Sequence, residues 1–181
     1  RAPRRIVNFG IGALTAMLCI AVLAGGALVL VRAVAKEQFV EYRMGGPEDA
    51  PIAIAAGIDG SIWFTIDHAD AIGRVRNGRI ELLPTSSRNI EPLGLAVAAD
   101  GSAWYTDLAT RAIAHINSAG EIARFVLDTP IARLGRLAIA PDGAAWFADQ
   151  TGYGLTRLKD GVFTRYQFES ARGGPYGVAV T

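Results

Sequence analysis

The chain is poor in the residues that carry most catalytic and cross-linking chemistry. One cysteine, Cys19, stands among 181 residues, so no internal disulfide and no cysteine-built metal site can form. Two histidines, His68 and His115, make no ligand cluster. Charge of one sign is lacking as well: 18 Lys and Arg face 17 Asp and Glu, for a net charge of +1. That balance gives no basic field and no reason to expect a nucleic acid as partner. Phosphate loops and nucleophile elbows are absent from the sequence. Beyond about residue 45, Gly, Asp-Gly and β-branched residues interrupt every window, so no long amphipathic helix is expected there.

What the chain has in quantity is apolar residues, 51% of the total, and part of that excess is concentrated in residues 6–31. This run carries no charge, and only Asn8 and Thr15 are clearly polar. A helix needs about 20 such residues to cross the hydrocarbon core. A transmembrane helix is expected over 6–32, with a basic cytoplasmic end at 1–5 (Arg1, Arg4, Arg5) and a linker at 33–50. The positive-inside rule then places the remainder outside the cytoplasm, in the periplasm of a bacterium with a single-pass inner-membrane anchor. A cleaved signal peptide is the rival, because Ala33-Val34-Ala35 has the form of a cleavage site. Signal-peptide cores run about 7–15 residues, so the longer run favours an uncleaved anchor. Gly12 and Ala16, then Ala21 and Gly25, put small residues four apart on this helix. Such spacing lets helix backbones approach closely in a bilayer, which points to packing against a partner subunit.

The rest of the chain repeats itself. "DGSIWFT" begins at Asp59, "DGSAWYT" at Asp100 and "DGAAWFA" at Asp142, at intervals of 41 and 42 residues. Asp59, Gly60 and Trp63 thus return as Asp100, Gly101 and Trp104, and again as Asp142, Gly143 and Trp146. Recurrence on this scale signals a solenoid, propeller or array. Within each repeat, short apolar runs are parted by turn signals. In the second these are 94–99, 102–106, 112–117 and 121–127, with Asp100-Gly101 between the first pair and Gly120 between the last. Asn77-Gly78 and Asp160-Gly161 mark the last turn of the other two, and such dipeptides favour the positive φ angles of tight hairpins. Four strands per repeat of this length predict a β-propeller blade. A β-sandwich would also have short strands, but would not need Trp in register three times.

The pattern P-x-G-x-A-V-A-x-D-G-S-x-W-Y-T-D…I-x-x-I…G-x-I resembles the repeats of the streptogramin (virginiamycin) B lyase family and, more loosely, NHL-type propellers. The fullest copy is 92–122, with weaker copies at 52–80 and 134–163, so the resemblance covers about residues 50–181. It implies an all-β fold of four-stranded blades at 51–90, 91–132 and 133–173, with the start of another at 174–181. A partial propeller belonging to a longer protein is expected, a three-blade protein completed by a partner being the alternative. Lyases of this family open a cyclic depsipeptide by elimination across an ester C–O bond. That chemistry needs a base, a Mg2+ for the developing enolate and an acid for the leaving group. The resemblance implies that His and Glu supply it, after the blade-opening Pro and after W-F-T. The corresponding residues here are Ile52, Leu93, Leu134 and Tyr176, then Ile66, Asp107 and Asp149. None is His or Glu, and Asp107 and Asp149 read as turn residues bonding backbone N–H groups.

No catalytic residue, cofactor or metal ligand is therefore assigned. His68, in the polar stretch Asp67–Asp70, reads as a solvated loop residue. His115 reads as an exposed basic position, since Arg74 and Arg157 occupy it in the other repeats. The expectation is a membrane-anchored extracytoplasmic propeller that binds or scaffolds, as an accessory subunit of a respiratory or photosynthetic membrane complex. Its partners would be the bilayer and other membrane-protein subunits, met through the helix and the open propeller edge. The alternative is a lyase whose catalytic His and Glu lie in further blades.

Overall fold

The structure is a computed structural model that describes residues 40–44, 46, 49–67, 69–128, 133–169 and 173–181. Arg43–Thr181 forms one compact unit. The apolar run at 6–31, with Gly12, Ala16, Ala21 and Gly25, lies outside the described residues, as does His68. Among the described residues no helix is long and apolar enough to cross a membrane.

Twelve strands make three antiparallel four-stranded sheets among the described residues. The first contains β1 (Ala50–Ala56), β2 (Ile62–Asp67), β3 (Ala71–Arg76) and β4 (Arg79–Pro84). In the second are β5 (Pro92–Val97), β6 (Ala103–Asp107), β7 (Ala112–Ile116) and β8 (Ile122–Val126). The third has β9 (Leu134–Ile139), β10 (Ala145–Asp149), β11 (Gly154–Lys159) and β12 (Val162–Gln167). Each strand pairs with its sequence neighbour, so every sheet is a meander of the kind that forms a propeller blade.

The repeated Asp-Gly closes the first hairpin of each blade, by a different turn from the primed type the dipeptide suggests. Only the glycine takes positive φ: 77° at Gly60, 82° at Gly101 and 80° at Gly143. The turn is instead an ordinary β-turn, with Gly101 N–H bonded to Ala98 C=O at 3.0 Å, followed by the left-handed glycine. The Asp side chain folds back to fix it. Asp100 Oδ1 accepts from the Ser102 amide at 2.9 Å and from its hydroxyl at 2.6 Å, and Asp59 does the same with Ser61. These Ser61 and Ser102 bonds hold the Asp59 and Asp100 carboxyls below the usual carboxylate value of 3.8. The Ala144 amide, then Arg157, does so for Asp142. Stability from these groups is present above that value and lost as the pH falls through the lowered ones. True two-residue turns occur at the last hairpins of blades 1 and 3, where Asn77, Gly78, Asp160 and Gly161 all have positive φ.

Two apolar layers join the blades. Trp63, Ile72 and Ala53 of blade 1 pack on Leu95, Tyr105, Ala114 and Ile116 of blade 2. The other side of blade 2, with Ile113 and Trp104, packs on Leu137, Phe147 and Leu158 of blade 3. Equivalent positions show what each layer covers. Leu95 is 9% exposed and Leu137 5%, but Ile54, in the same place on blade 1, is 74% exposed. Residues 173–181 run beside β9, where Arg136 N–H donates to Tyr176 C=O at 2.8 Å. Gly135 permits that approach, because a Cβ there would stand 2.5 Å from the Tyr176 carbonyl oxygen.

Each inner strand carries an irregularity in register near its start, between Pro51 and Ile54, Pro92 and Leu95, and Leu134 and Phe147's partner Leu137. A buried threonine serves the loosened backbone in two blades. Thr106 Oγ1 accepts from Gly94 N–H at 2.7 Å, and Thr65 Oγ1 from Ala53 N–H at 2.9 Å. Thr106→Val keeps the shape but orphans a buried amide, and is expected to cost about 1–3 kcal/mol in chemical denaturation. A cost near zero would show that the hydroxyl does not support this strand.

Candidate functional site

The end of the blades where inner strands begin and second strands finish carries the positions that the lyase resemblance marks. Register pairs Pro51 with Ile66, Pro92 with Asp107 and Leu134 with Asp149. Leu134 therefore takes the place of the prolines, and Gly135 stands where Ile52 and Leu93 stand. The alignment of Leu134 with Leu93 expected from sequence is corrected by one residue. The 42-residue interval comes from one extra residue in the turn between β7 and β8, where Ile116 pairs with Ile122 while Val75 pairs with Ile80 and Leu158 with Phe163.

Asp107 is fully buried, and its carboxylate is surrounded by donors. Oδ1 accepts from the Glu91 amide at 3.1 Å and the Thr110 amide at 3.4 Å. Oδ2 accepts from the Thr110 hydroxyl at 2.5 Å and from Arg124 Nη2 at 3.0 Å. Arg124 also donates to the Thr110 hydroxyl. Asp149, 4% exposed, accepts from the Thr151 and Gly152 amides at 3.2 and 2.9 Å. Both carboxylates tie a loop to a strand end, as their sequence context suggests. Arg124 was not foreseen. A signal for it exists, because Leu82, Arg124 and Arg165 occupy one register column, facing Gly73, Ala114 and Thr156. Where the outer strand has Leu82 the second strand has Ile66, and where it has Arg the second strand has Asp107 or Asp149.

Between blades 1 and 2, on the same end, lies a cleft of about 520 Å³. Ile52, Ile90, Leu93 and Leu108 form its apolar wall, and Asp67, Asp70, Asn89 and Glu91 bring polar groups. The lyase resemblance implies Mg2+. Among the described residues, no three His, Cys, Asp or Glu side chains are grouped to hold a metal ion, and Asp107 is already enclosed by its donors. The donor set among the described residues does not fit Mg2+.

The repeated tryptophans lie elsewhere, each opposite a basic residue on the third strand. Trp63 pairs with Arg74, Trp104 with His115 and Trp146 with Arg157. Arg74 Cζ stands 4.9 Å over the Trp63 ring, and Trp63 Nε1 donates to Ser61 Oγ at 3.1 Å. His115 is half-buried rather than exposed, its ring stacked on Trp104 at 4.3 Å and 28°. The ring that covers it is that of Trp104, its cross-strand partner, on the side of blade 2 that packs on blade 3. Tyr105, also fully buried, has its phenol pushed up to about 12 by burial.

Comparison with known proteins accounts for this arrangement. Residues 23–181 match the virginiamycin B lyase family. A virginiamycin B lyase from Staphylococcus aureus superposes with a TM-score of 0.73 at 25% identity, over 78% of this chain and 49% of that one. A catalytically inactive lyase from the same organism, solved with quinupristin, gives 0.74 at 24% identity, over 81% and 50%. A gluconolactonase from Xanthomonas campestris shares the fold more distantly, with a TM-score of 0.52 at 20% identity over 65% and 46%. The chain spans about half the length of these solved relatives. No curated protein matches it at a significant level. With three four-stranded blades, a repeated Asp-Gly turn and a match over most of its length, the chain belongs to the virginiamycin B lyase family.

Proposed function

We propose that this chain is a binding or scaffold propeller, held at the periplasmic face of a bacterial inner membrane by the apolar run at 6–31. The observation that carries this reading is the state of Asp107. It stands at the place where the resemblance puts a catalytic Glu, and its carboxylate is enclosed by two amides, a hydroxyl and Arg124. A group so bound holds a loop in place and has no free lone pair to take a substrate proton. Support for a partner comes from the sheet face of blade 1, where Ile54 and Leu82 are exposed, and from the small residues Gly12, Ala16, Ala21 and Gly25. An accessory place in a larger membrane complex, respiratory or photosynthetic, is part of this reading, with the anchor and that open face as its two contacts.

A second reading is a C–O lyase acting on a cyclic depsipeptide, with its catalytic His and Glu in further blades. Family membership and the likeness to a lyase solved with quinupristin favour it. One experiment separates the two. The protein with any further blades included, in mild detergent, is incubated with quinupristin and Mg2+, and the products are separated by chromatography and fragmented. Elimination within a ring leaves the mass unchanged, so a new retention time and fragment series is the sign of opening. Unaltered quinupristin is the expected result, and ring opening above the protein-free control would overturn the scaffold reading.

A further inference from the structure

Blades 1 and 3 set a permanent cation opposite their tryptophan, and blade 2 sets a titratable one. Arg74 lies over Trp63 and bonds Glu81 at 2.6 Å. Arg157, across from Trp146, reaches the Asp142 carboxylate of the Asp-Gly turn at 2.8 Å. In blade 2 the same places hold Trp104, His115 and Asp100. The imidazole stacks on the indole, whose other ring neighbour is Phe125 at 6.2 Å. Trp104 and Phe125 both pack into the apolar layer that joins blade 2 to blade 3. Ala123, across from His115 on β8, is uncharged, and the charged group acting on His115 is Asp100. In blade 1 the place of His115 is taken by Arg74, which does not titrate near neutral pH.

We propose that His115 is a proton-responsive pin on Trp104, so that acid loosens the contact between blades 2 and 3 and leaves that between blades 1 and 2 intact. Uncharged, the ring is a flat apolar cover for the indole. Charged, it needs water or a carboxylate. A cation at this place follows its carboxylate: Arg157 reaches Asp142 of the turn, and Arg74 stays over its indole where Glu81 stands opposite it. Ala123 holds that opposite place in blade 2, so a charged His115 has only Asp100 of the turn to reach for. Burial lowers the His115 pKa from its ordinary 6.5, and Asp100 opposes part of that. The sign follows: above the ordinary value the two states bind protons alike. As the pH falls below it, the opened form takes the proton first and the packed form loses stability, until the lowered folded value is passed. Asp100 stays ionised throughout, its own pKa being lowered by Ser102.

The test is tryptophan fluorescence of the full chain in mild detergent between about pH 8 and pH 5, with hydrogen exchange on the same samples. One quenching step with a midpoint below 6.5 is expected, since an imidazolium beside an indole quenches it. Exchange at Ala112–Ile116 should rise by about tenfold for each pH unit that separates the folded and unfolded values, after correction for intrinsic rates. His115→Gln and His115→Arg should both abolish the step, one by removing the charge and the other by making it permanent. His68→Gln should leave it unchanged. A step that survives His115→Gln, a step lost in His68→Gln, or exchange that rises equally at Ile72 and Ile113 would overturn the proposal.

Discussion

Replacing Asp107 by Ala is expected to remove about 3–5 kcal/mol of stability, the cost of stripping one partner from a buried ion pair. The substitution leaves Arg124 without the carboxylate 3.0 Å away, in a side chain only 17% exposed, and it also orphans the Glu91 and Thr110 amides. Blade 1 supplies the compensating design, since Ile66 and Leu82 occupy the two places with apolar residues and Ile66 is fully buried. Asp107→Ile combined with Arg124→Leu should therefore be far less costly than Asp107→Ala alone. Urea denaturation of the two single variants and the double gives the coupling directly. A loss under about 1 kcal/mol for Asp107→Ala would mean that the pair is solvated and behaves as a surface bridge.

Trp63→Ala should cost about as much, about 3–5 kcal/mol, through lost burial and the cavity left behind. Trp63 is 1% exposed, lies between two blades and holds both Ser61 and Arg74. Trp146 repeats its sequence position but is only partly buried, stacked at 5.3 Å on an exposed Tyr166. Trp146→Ala is expected to cost roughly half as much, because large-to-small penalties scale with the contact removed. Guanidinium denaturation of the two variants tests the ranking. Equal losses would show that the tryptophans matter for their own hairpin rather than for the layer between blades.

The contrast between those tryptophans marks where the sequence was legible. Local signals carried far: Asp100-Gly101 placed a turn, and the strands read as 102–106 and 112–117 fall close to the observed Ala103–Asp107 and Ala112–Ile116. Backbone conformation and short side-chain bonds depend on a few neighbours, so a repeat of a few dozen residues states them three times over. What depended on the next blade was hidden. His115 reads as exposed from the Arg residues at its place in the other repeats, and is half-buried with its ring stacked on Trp104, which itself packs into the layer shared with blade 3. The Asp107–Arg124 pair was missed for a related reason, since β6 and β8 are separated by β7 and no local pattern joins them. The start of β9 was misjudged by one residue because Leu134 stands where the other inner strands have Pro51 and Pro92, so the marker that fixes the place is missing there.

The turns at Gly60, Gly78 and Gly101 have a practical use. The space around all three is open, with no atom within 4 Å of where a Cβ would stand, although their positive φ angles reserve these places themselves for glycine. Insertion beside them would lengthen a loop rather than disturb a layer, and lengthening a loop costs only slowly more with each added residue. The Gly60 and Gly101 tips lie at the opposite strand ends from Asp107 and the cleft of Ile52 and Leu93. A fluorophore, an affinity tag or a whole binding peptide could be carried there, making these blades a display platform whose cargo and cleft do not compete for space.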